Sequence, residues 1–423
     1  MPDSIKRALY YPFFWIVLLS LGLHIVSILL LGTWNNAEQF EYSTVALNIS
    51  QGKGYYYPNW GTEIRVYGFP LYPLMLWLML EAFGSSVWPA QLLSISLNAG
   101  SAILCFQITR KLTQNKLAPF IAAFVFAMHP GLIYYAVSKV HELPLVCFST
   151  LGIVLLGIRL LNVPSLINAG LLGVFLGAGY LLRPTIAAIG PGILLAYLVI
   201  FRDFDRNIFR LIIFSAFVAL LVASPWWVRN RLVLGEWVLS TSGSAELFWQ
   251  GNNPKATGTN LSADGRSIYQ TDSVLVNKVR GLDEVTRSDI FKEEALKFIR
   301  NNPGTAAWFT VKKTFYFWWF TPHAGMYYRP YQLWGYKLYY FFVIIGLLLF
   351  LISAKLNTPE AKGLIVIMLF VLFAAMVAHS ITYIEGRHRW GYEGYLVCMA
   401  GAGMASLRGF WKSRRKLPKG RVE

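Results

Sequence analysis

Apolar runs of about 20 residues, the length that crosses a bilayer as a helix, recur along this chain with short polar stretches between them. They fall at roughly 11–31, 87–109, 118–137, 142–161, 166–182, 185–201, 208–228, 337–355, 363–383 and 391–408. The pattern predicts an all-α integral membrane protein, a polytopic bundle of about ten transmembrane helices. Three parts follow: an N-terminal membrane half, 1–228, whose first outer loop is 33–86; an extracytoplasmic segment, 229–336, mainly helical; and C-terminal spans with a basic tail, 337–423. In the first outer loop, Asn36 with Gln39 three residues on resembles a capping box, and Gly52 and Gly54 stand where a helix would stop. A helix lying on the membrane surface is therefore predicted over 37–50, with Glu38 in its first turn, Tyr42 one turn along on the same face and Glu41 facing elsewhere. In the outer segment, Ser288 to Arg300 is amphipathic and ended by Asn302-Pro303-Gly304, and aromatic-rich Trp308 to Phe320 is expected in the interface. Gly170, Gly173, Gly177 and Gly179 are spaced to let helix backbones approach closely.

Composition sharpens this picture. The 423 residues are 56% hydrophobic and only 14% charged, with a mean hydropathy of +0.47, far from a soluble domain's charge content. The first run follows Lys6 and Arg7, is too long for a signal-peptide core and lacks a small-residue cleavage pattern, so it is expected to stay as an anchor. With both termini in the cytoplasm, 18 of the 38 Lys and Arg residues fall inside, seven of them in the tail. The short outer loops then hold only Lys53, Arg65, Lys139, Arg183, Arg387 and Arg389, as the positive-inside rule requires. A multi-pass protein of the bacterial inner membrane is the expected setting. The net charge of +17 is scattered over loops, which argues against nucleic acid as a partner and places the tail Arg408 to Arg421 at anionic lipid headgroups. Cys105, Cys147 and Cys398 all sit in apolar runs, which indicates neither a disulfide framework nor a metal cluster.

Candidate chemistry gathers on the predicted outer side. Glu38 is a carboxylate just outside hydrocarbon: a general base or metal ligand in an outward cavity, or a surface acid in a polar loop. His141-Glu142 lies between the third and fourth spans on the same side, where two carboxylates from separate loops could share a proton, a cation or a hydroxyl; a solvated turn is the other reading. Arg183-Pro184 and Arg387-His388-Arg389 stand at outer junctions, where a planar guanidinium fork suits phosphate oxygens or snorkels to headgroups. Gly251-Asn252-Asn253-Pro254 reads on physics alone as a tight turn. Asn48-Ile49-Ser50 and Asn260-Leu261-Ser262 match the glycosylation sequon, a short and common pattern.

Taken in order, Glu38 with Tyr42, Gly52-Lys53-Gly54-Tyr55, Pro70-Leu71-Tyr72-Pro73, Glu142, Arg183-Pro184, Arg229-Asn230, Gly251-Asn252-Asn253-Pro254 and Arg387 resemble the GT-C membrane glycosyltransferases, which include protein O-mannosyltransferases and the aminoarabinose transferase acting on lipid A. The resemblance covers most of the chain. It implies sugar transfer from a polyprenyl-phosphate donor to a hydroxyl or amine on a lipid, glycan or protein, with inversion at the anomeric carbon. In that family the first outer loop carries an essential acid, usually aspartate; Glu38 takes that place here, with Glu142 orienting it or the acceptor. The substrate-binding set implied is Tyr42, Arg65, Tyr72, His141, Arg183, Asn252, Arg387, His388 and Arg389. Arg387 or Arg389 would hold the phosphate with help from Arg183, and Arg65 would substitute for an arginine that many relatives have where this chain has Gly68. Tyr55, Tyr56, Tyr57 and Trp60 would offer aromatic faces to the sugar, or belong to the interfacial belt. The two carboxylates could hold a divalent ion or work without one. The rival from another class is a transporter or flippase of a lipid-linked sugar, against which stands the lack of matching halves; a ligase moving a preassembled glycan differs only in donor size.

Overall fold

The computed structural model describes residues 3–201, 203–320, 330–353 and 356–414; Arg202, Lys355 and the basic tail beyond Arg414 lie outside them. Every apolar run falls on helix. Helix α1 (Asp3–Leu31) leads into the first outer loop, which holds α2 (Glu41–Ser50), a hairpin of β1 (Tyr57–Asn59) and β2 (Thr62–Ile64), and α3 (Leu71–Phe83). The first membrane half continues with α4 (Trp88–Leu112), α5 (Ala118–Ala127), α6 (Pro130–Ser138), α7 (Leu143–Asn162), α8 (Leu166–Leu182), a 3-10 turn over Pro184–Ala188, α9 (Ile189–Ile200) and α10 (Arg206–Leu234). The outer segment contains α11 (Ser244–Gln250), α12 (Ile268–Thr271), α13 (Ser273–Val279), α14 (Glu284–Asn301) and α15 (Pro303–Trp318). It is followed by α16 (Pro330–Ser353), α17 (Pro359–Ile381), the short α18 (Arg387–Trp390) and α19 (Glu393–Arg414). Among the described residues, six helices are long and apolar enough to cross a membrane. The pair α5 and α6, bent by 44° at Met128 and His129, makes a seventh span if continuous, and α8 and Pro184–Ile200 are shorter apolar helices.

Local chemistry accounts for the helix ends. Asp205 and Asp283 accept hydrogen bonds from the first free N–H groups of α10 and α14, the arrangement that satisfies donors a helix start leaves open. The amphipathic α14 begins four residues before the stretch expected from its apolar face, because Asp283 caps it there. Within the bundle, α8 packs on α10, α16 on α19 and α17 on α9. At Gly173 an added Cβ would lie 2.5 Å from the Ser215 carbonyl oxygen of α10, so this helix pair closes to backbone contact as the glycine spacing implied.

The predicted cytoplasmic loops collect at one end of the bundle. There Lys111 Nζ lies 2.6 Å from a Glu360 oxygen that Asn162 also donates to, and Asn115 donates to the Ala405 carbonyl. At the opposite end the first outer loop, the 138–142 turn, the Arg183 junction and residues 382–389 meet the outer segment, which has a small hydrophobic core of its own around Trp249, Ile268, Leu275, Val279, Phe291 and Ala295.

Candidate active site

A cavity of about 660 Å³ opens between these outer elements. Its position is set by three ties on the first loop. The Glu38 N–H donates to the Ser138 carbonyl and the Val140 N–H to the Glu38 carbonyl, both at 2.9 Å, an extended bridge that fastens residues 36–40 to the turn before α7. Arg229, at the end of α10, donates to the Arg65 and Tyr55 carbonyls and lies over the Trp226 ring. The Glu284 carboxylate, in the first turn of α14, accepts from the backbone N–H groups of Arg65 and Val66 (3.1 Å each) and from the Ser242 hydroxyl (2.7 Å).

The bridge corrects the expected helix over 37–50. Residue 38 is extended and the helix starts at Glu41, so the two acids exchange places. The Glu38 side chain is 58% exposed and pairs with Lys139 on the outer surface. Glu41, in the first helical turn, lines the cavity and makes no ion pair among the described residues. Its charge adds to burial in raising the pKa of Tyr67, and it adds to burial and Glu385 in raising that of Tyr383 on the other wall.

The cavity's inner wall carries two arginine–carboxylate pairs. Arg183 donates to one oxygen of Glu142 from Nε (3.2 Å) and Nη2 (2.8 Å), while its Nη1 is buried with no hydrogen-bond partner. Burial raises the pKa of Glu142 above the ordinary carboxylate value; Arg183, and then a hydrogen bond from Tyr42, pull it back down. Arg387 Nε lies 2.6 Å from Glu385. Burial works against the charge on Arg387, and Glu385 together with Tyr135 and Tyr383 outweighs it, so its pKa is held well above the usual value. His141 Nδ1 accepts from the Leu143 N–H, and burial, with Arg387 and Arg183 nearby, pushes its pKa well down. The ring is thus neutral with its single proton on Nε2. That Nε2–H stands 3.4 Å from Arg387 Nη1, two donors facing one another, and Arg387 Nη1 donates to the Tyr135 hydroxyl at 3.4 Å. His388, whose Nδ1 accepts from the Glu385 N–H, presents its Nε2 side by the same logic. Arg183 Nη1, without a partner among the described residues, and the Nε2–H of His141 therefore offer donors that suit an oxygen-rich anion.

Of the residues expected to act, the structure brings Tyr42, His141, Glu142, Arg183, Arg387 and His388 to this cavity. It does not bring the other five. Glu38 is outside, as described. Arg65 faces solvent beside Glu63 and does not stand in for an arginine at 68, where a φ of +64° and the Tyr42 ring 3.1 Å from any Cβ require glycine. Tyr72 is buried edge-on against Tyr42 and supports it. Asn252 donates to the Phe248 and Ile381 carbonyls. Arg389 is buried in a separate network with Glu393, Tyr336 and the Phe317 carbonyl. Residues that sequence reading passed over are Glu41, Tyr383 and Glu385, and on the outer-segment side Glu246, Tyr269 and Arg287, where Arg287 binds Glu246 at 2.5 Å and stacks on Trp60 at 4.3 Å. Asn260 of the second sequon lines the cavity with a buried amide oxygen.

Among the described residues no three His, Cys, Asp or Glu side chains gather as ligands. The two carboxylates on the inner wall are each taken by an arginine, and His141 and His388 spend their free lone pair on a backbone N–H.

The Gly251-Asn252 turn has a structural task. A Cβ at 251 would sit 1.7 Å from the Thr382 carbonyl oxygen, an overlap backbone cannot relieve. Gly251→Ala is expected to abolish the folded, monodisperse protein in size-exclusion chromatography, whereas Asn253→Ala, losing three local hydrogen bonds, costs about 1–3 kcal/mol.

Comparison with known proteins bears on the same elements. Residues 68–228 match the family described as dolichyl-phosphate-mannose-protein mannosyltransferase. The matched stretch contains His141, Glu142 and Arg183 and leaves Glu41 and Arg387 outside it. No curated protein matches. Among solved structures, the Archaeoglobus fulgidus oligosaccharyltransferase tethered to an acceptor peptide is similar over 94% of this chain and 50% of its own, with 15% identity and a TM-score of 0.53. This chain thus spans half the length of that enzyme and shares its fold. ArnT from Cupriavidus metallidurans bound to undecaprenyl phosphate is 12% identical over 95% of this chain and 81% of its own, with a TM-score of 0.42. Residues 68–228, which carry part of the cavity's inner wall, are thus similar to the mannosyltransferase family, and the chain shares its multi-pass fold with the oligosaccharyltransferase.

Proposed function

We propose that the chain transfers a sugar from a polyprenyl-phosphate donor to a hydroxyl or amine acceptor on the extracytoplasmic face of a bacterial inner membrane, its termini in the cytoplasm. One observation carries this reading: Arg183 Nη1, buried and without a hydrogen-bond partner among the described residues, faces a cavity also lined by Arg387, His141 and the carboxylate of Glu41, which makes no ion pair among the described residues. The acceptor oxygen or nitrogen attacks the anomeric carbon, the bond from that carbon to phosphate oxygen breaks, and polyprenyl phosphate leaves with the electron pair. The phosphate goes from a singly charged diester to a doubly charged monoester. Donors fixed on those oxygens therefore bind the transition state more tightly than the ground state. Glu41 takes the acceptor's proton, attack and departure occupy opposite faces of the sugar, and the configuration inverts. Glu142, clamped by Arg183 and Tyr42, holds the guanidinium in place. The outer segment, from Thr241 to Phe291, forms the acceptor side.

The test uses purified protein in detergent, where no sealed compartment exists, with a radiolabelled polyprenyl-phosphate sugar and a cell-envelope extract as acceptor. Label moving from the polyprenyl fraction to another product is the expected result. Label that binds and stays on the polyprenyl carrier rejects transfer and leaves carriage of the lipid-linked sugar.

A further inference from the structure

Lys313 is a fully buried lysine on α15. Its Nζ donates to the Thr382 carbonyl at 2.9 Å and lies 3.3 Å from the Gly251 and Ile381 carbonyls and from Asn252 Oδ1. It has no carboxylate partner among the described residues. An ammonium removed from water without a counter-ion is costly, and burial pulls its pKa down to about 8, which leaves it cationic at neutral pH. What offsets the cost is a cage made only of acceptors, two of them at the C-terminal end of α17, where a positive charge meets the negative end of the helix dipole.

We propose that Lys313 is a positioning residue for the anion site: its buried ammonium fixes the connector that carries Tyr383, Glu385, Arg387 and His388. The proposal rests on the reading of that site as the donor phosphate's. The connector is gripped at its root from the outer segment. Lys313 holds residues 381 and 382, Asn252 Nδ2 donates to the Ile381 carbonyl at 2.9 Å, and the Ile384 N–H donates to the Gly258 carbonyl at 3.0 Å. Glu385 follows directly, and it is Glu385 that orients both Arg387 through its carboxylate and His388 through its N–H. Removing the ammonium takes the donor from the Gly251 and Thr382 carbonyls and Asn252 Oδ1, leaves the Ile381 carbonyl to Asn252 alone, releases the start of this chain of contacts and lets Arg387 drift from the phosphate.

The experiment measures the dissociation constant for undecaprenyl phosphate, together with the thermal midpoint, on the full chain in detergent. Lys313→Met is expected to weaken binding about tenfold or more, the scale on which small misplacements act. The control is Asp283→Ala, which removes the cap of α14 and lowers the thermal midpoint without touching the connector; it keeps wild-type affinity. If Lys313 is only structural, Lys313→Met and the control lower the midpoint alike and neither changes affinity, which overturns the proposal. Should Lys313→Met not fold, Asn252→Ala, which deletes one cage oxygen and the bond to Ile381, is read the same way. Wild-type protein that does not bind undecaprenyl phosphate sinks the donor reading and this proposal with it; wild-type binding with unchanged affinity in both variants sinks this proposal alone.

Discussion

Glu41→Gln is expected to lower sugar transfer by about a hundredfold to ten-thousandfold, the range a positioned general base contributes, while undecaprenyl phosphate still binds as it does to the wild type. The substitution keeps the size and the hydrogen-bonding shape of the side chain and removes only its basicity. Glu41 has no ion-pair partner among the described residues to strand, so folding is expected to be unaffected. Glu38→Gln is the paired measurement. Glu38 is solvent-exposed beside Lys139, an arrangement worth little to stability, and its loss should leave transfer near the wild-type rate. The opposite ranking, with Glu38→Gln inactive and Glu41→Gln active, would return the role to the residue the sequence pointed to and require the first loop to refold during catalysis.

That inversion shows where sequence reading stops. The membrane helices were legible because each is long and apolar by itself, and α14 because its polar and apolar faces alternate with the helical period. The start of α2 was not, since what holds residue 38 extended is a backbone pairing with Ser138 and Val140 about 100 positions away, and shifting a helix start by four residues exchanges one glutamate for another. The same limit hid α3. Two prolines so close together disguise a helix, yet Pro73 sits in the first turn of one, where a missing N–H costs nothing. The hairpin 57–64 has strands of three residues and a turn with both Trp60 and Gly61 at positive φ, a pattern for which only Gly61 gives a local signal. Arg387 and Arg389 look equivalent in sequence. On a four-residue helix two positions apart, one faces the cavity and the other the core. His141, Glu142 and Arg183 were found because each sits at the end of a long apolar run, where a charged side chain has few places to go.

Arg387→Ala is expected to weaken undecaprenyl phosphate binding by about 2–5 kcal/mol, the cost of deleting one partner of a buried charged contact, which is about 30-fold to a few thousandfold in affinity. The substitution also strands Glu385, whose side chain is only 5% exposed and whose ion-pair partner among the described residues is Arg387. An unpaired buried carboxylate destabilises the fold, and a fall in thermal midpoint by itself would say nothing about phosphate. The double variant Arg387→Ala with Glu385→Gln separates the two. Neutralising residue 385 removes the stranded charge, so the midpoint should recover most of its loss, while affinity should stay low because the phosphate still lacks its guanidinium. Lys255→Ala, on the exposed side of the turn after Pro254, should change neither quantity and controls for net charge. Raising ionic strength should weaken the wild type less than it weakens a surface-bound anion, because a buried contact is poorly screened. Affinity restored by the double variant would mean that Arg387 serves Glu385 and not the donor, and the phosphate would then have to be held by Arg183 and His141.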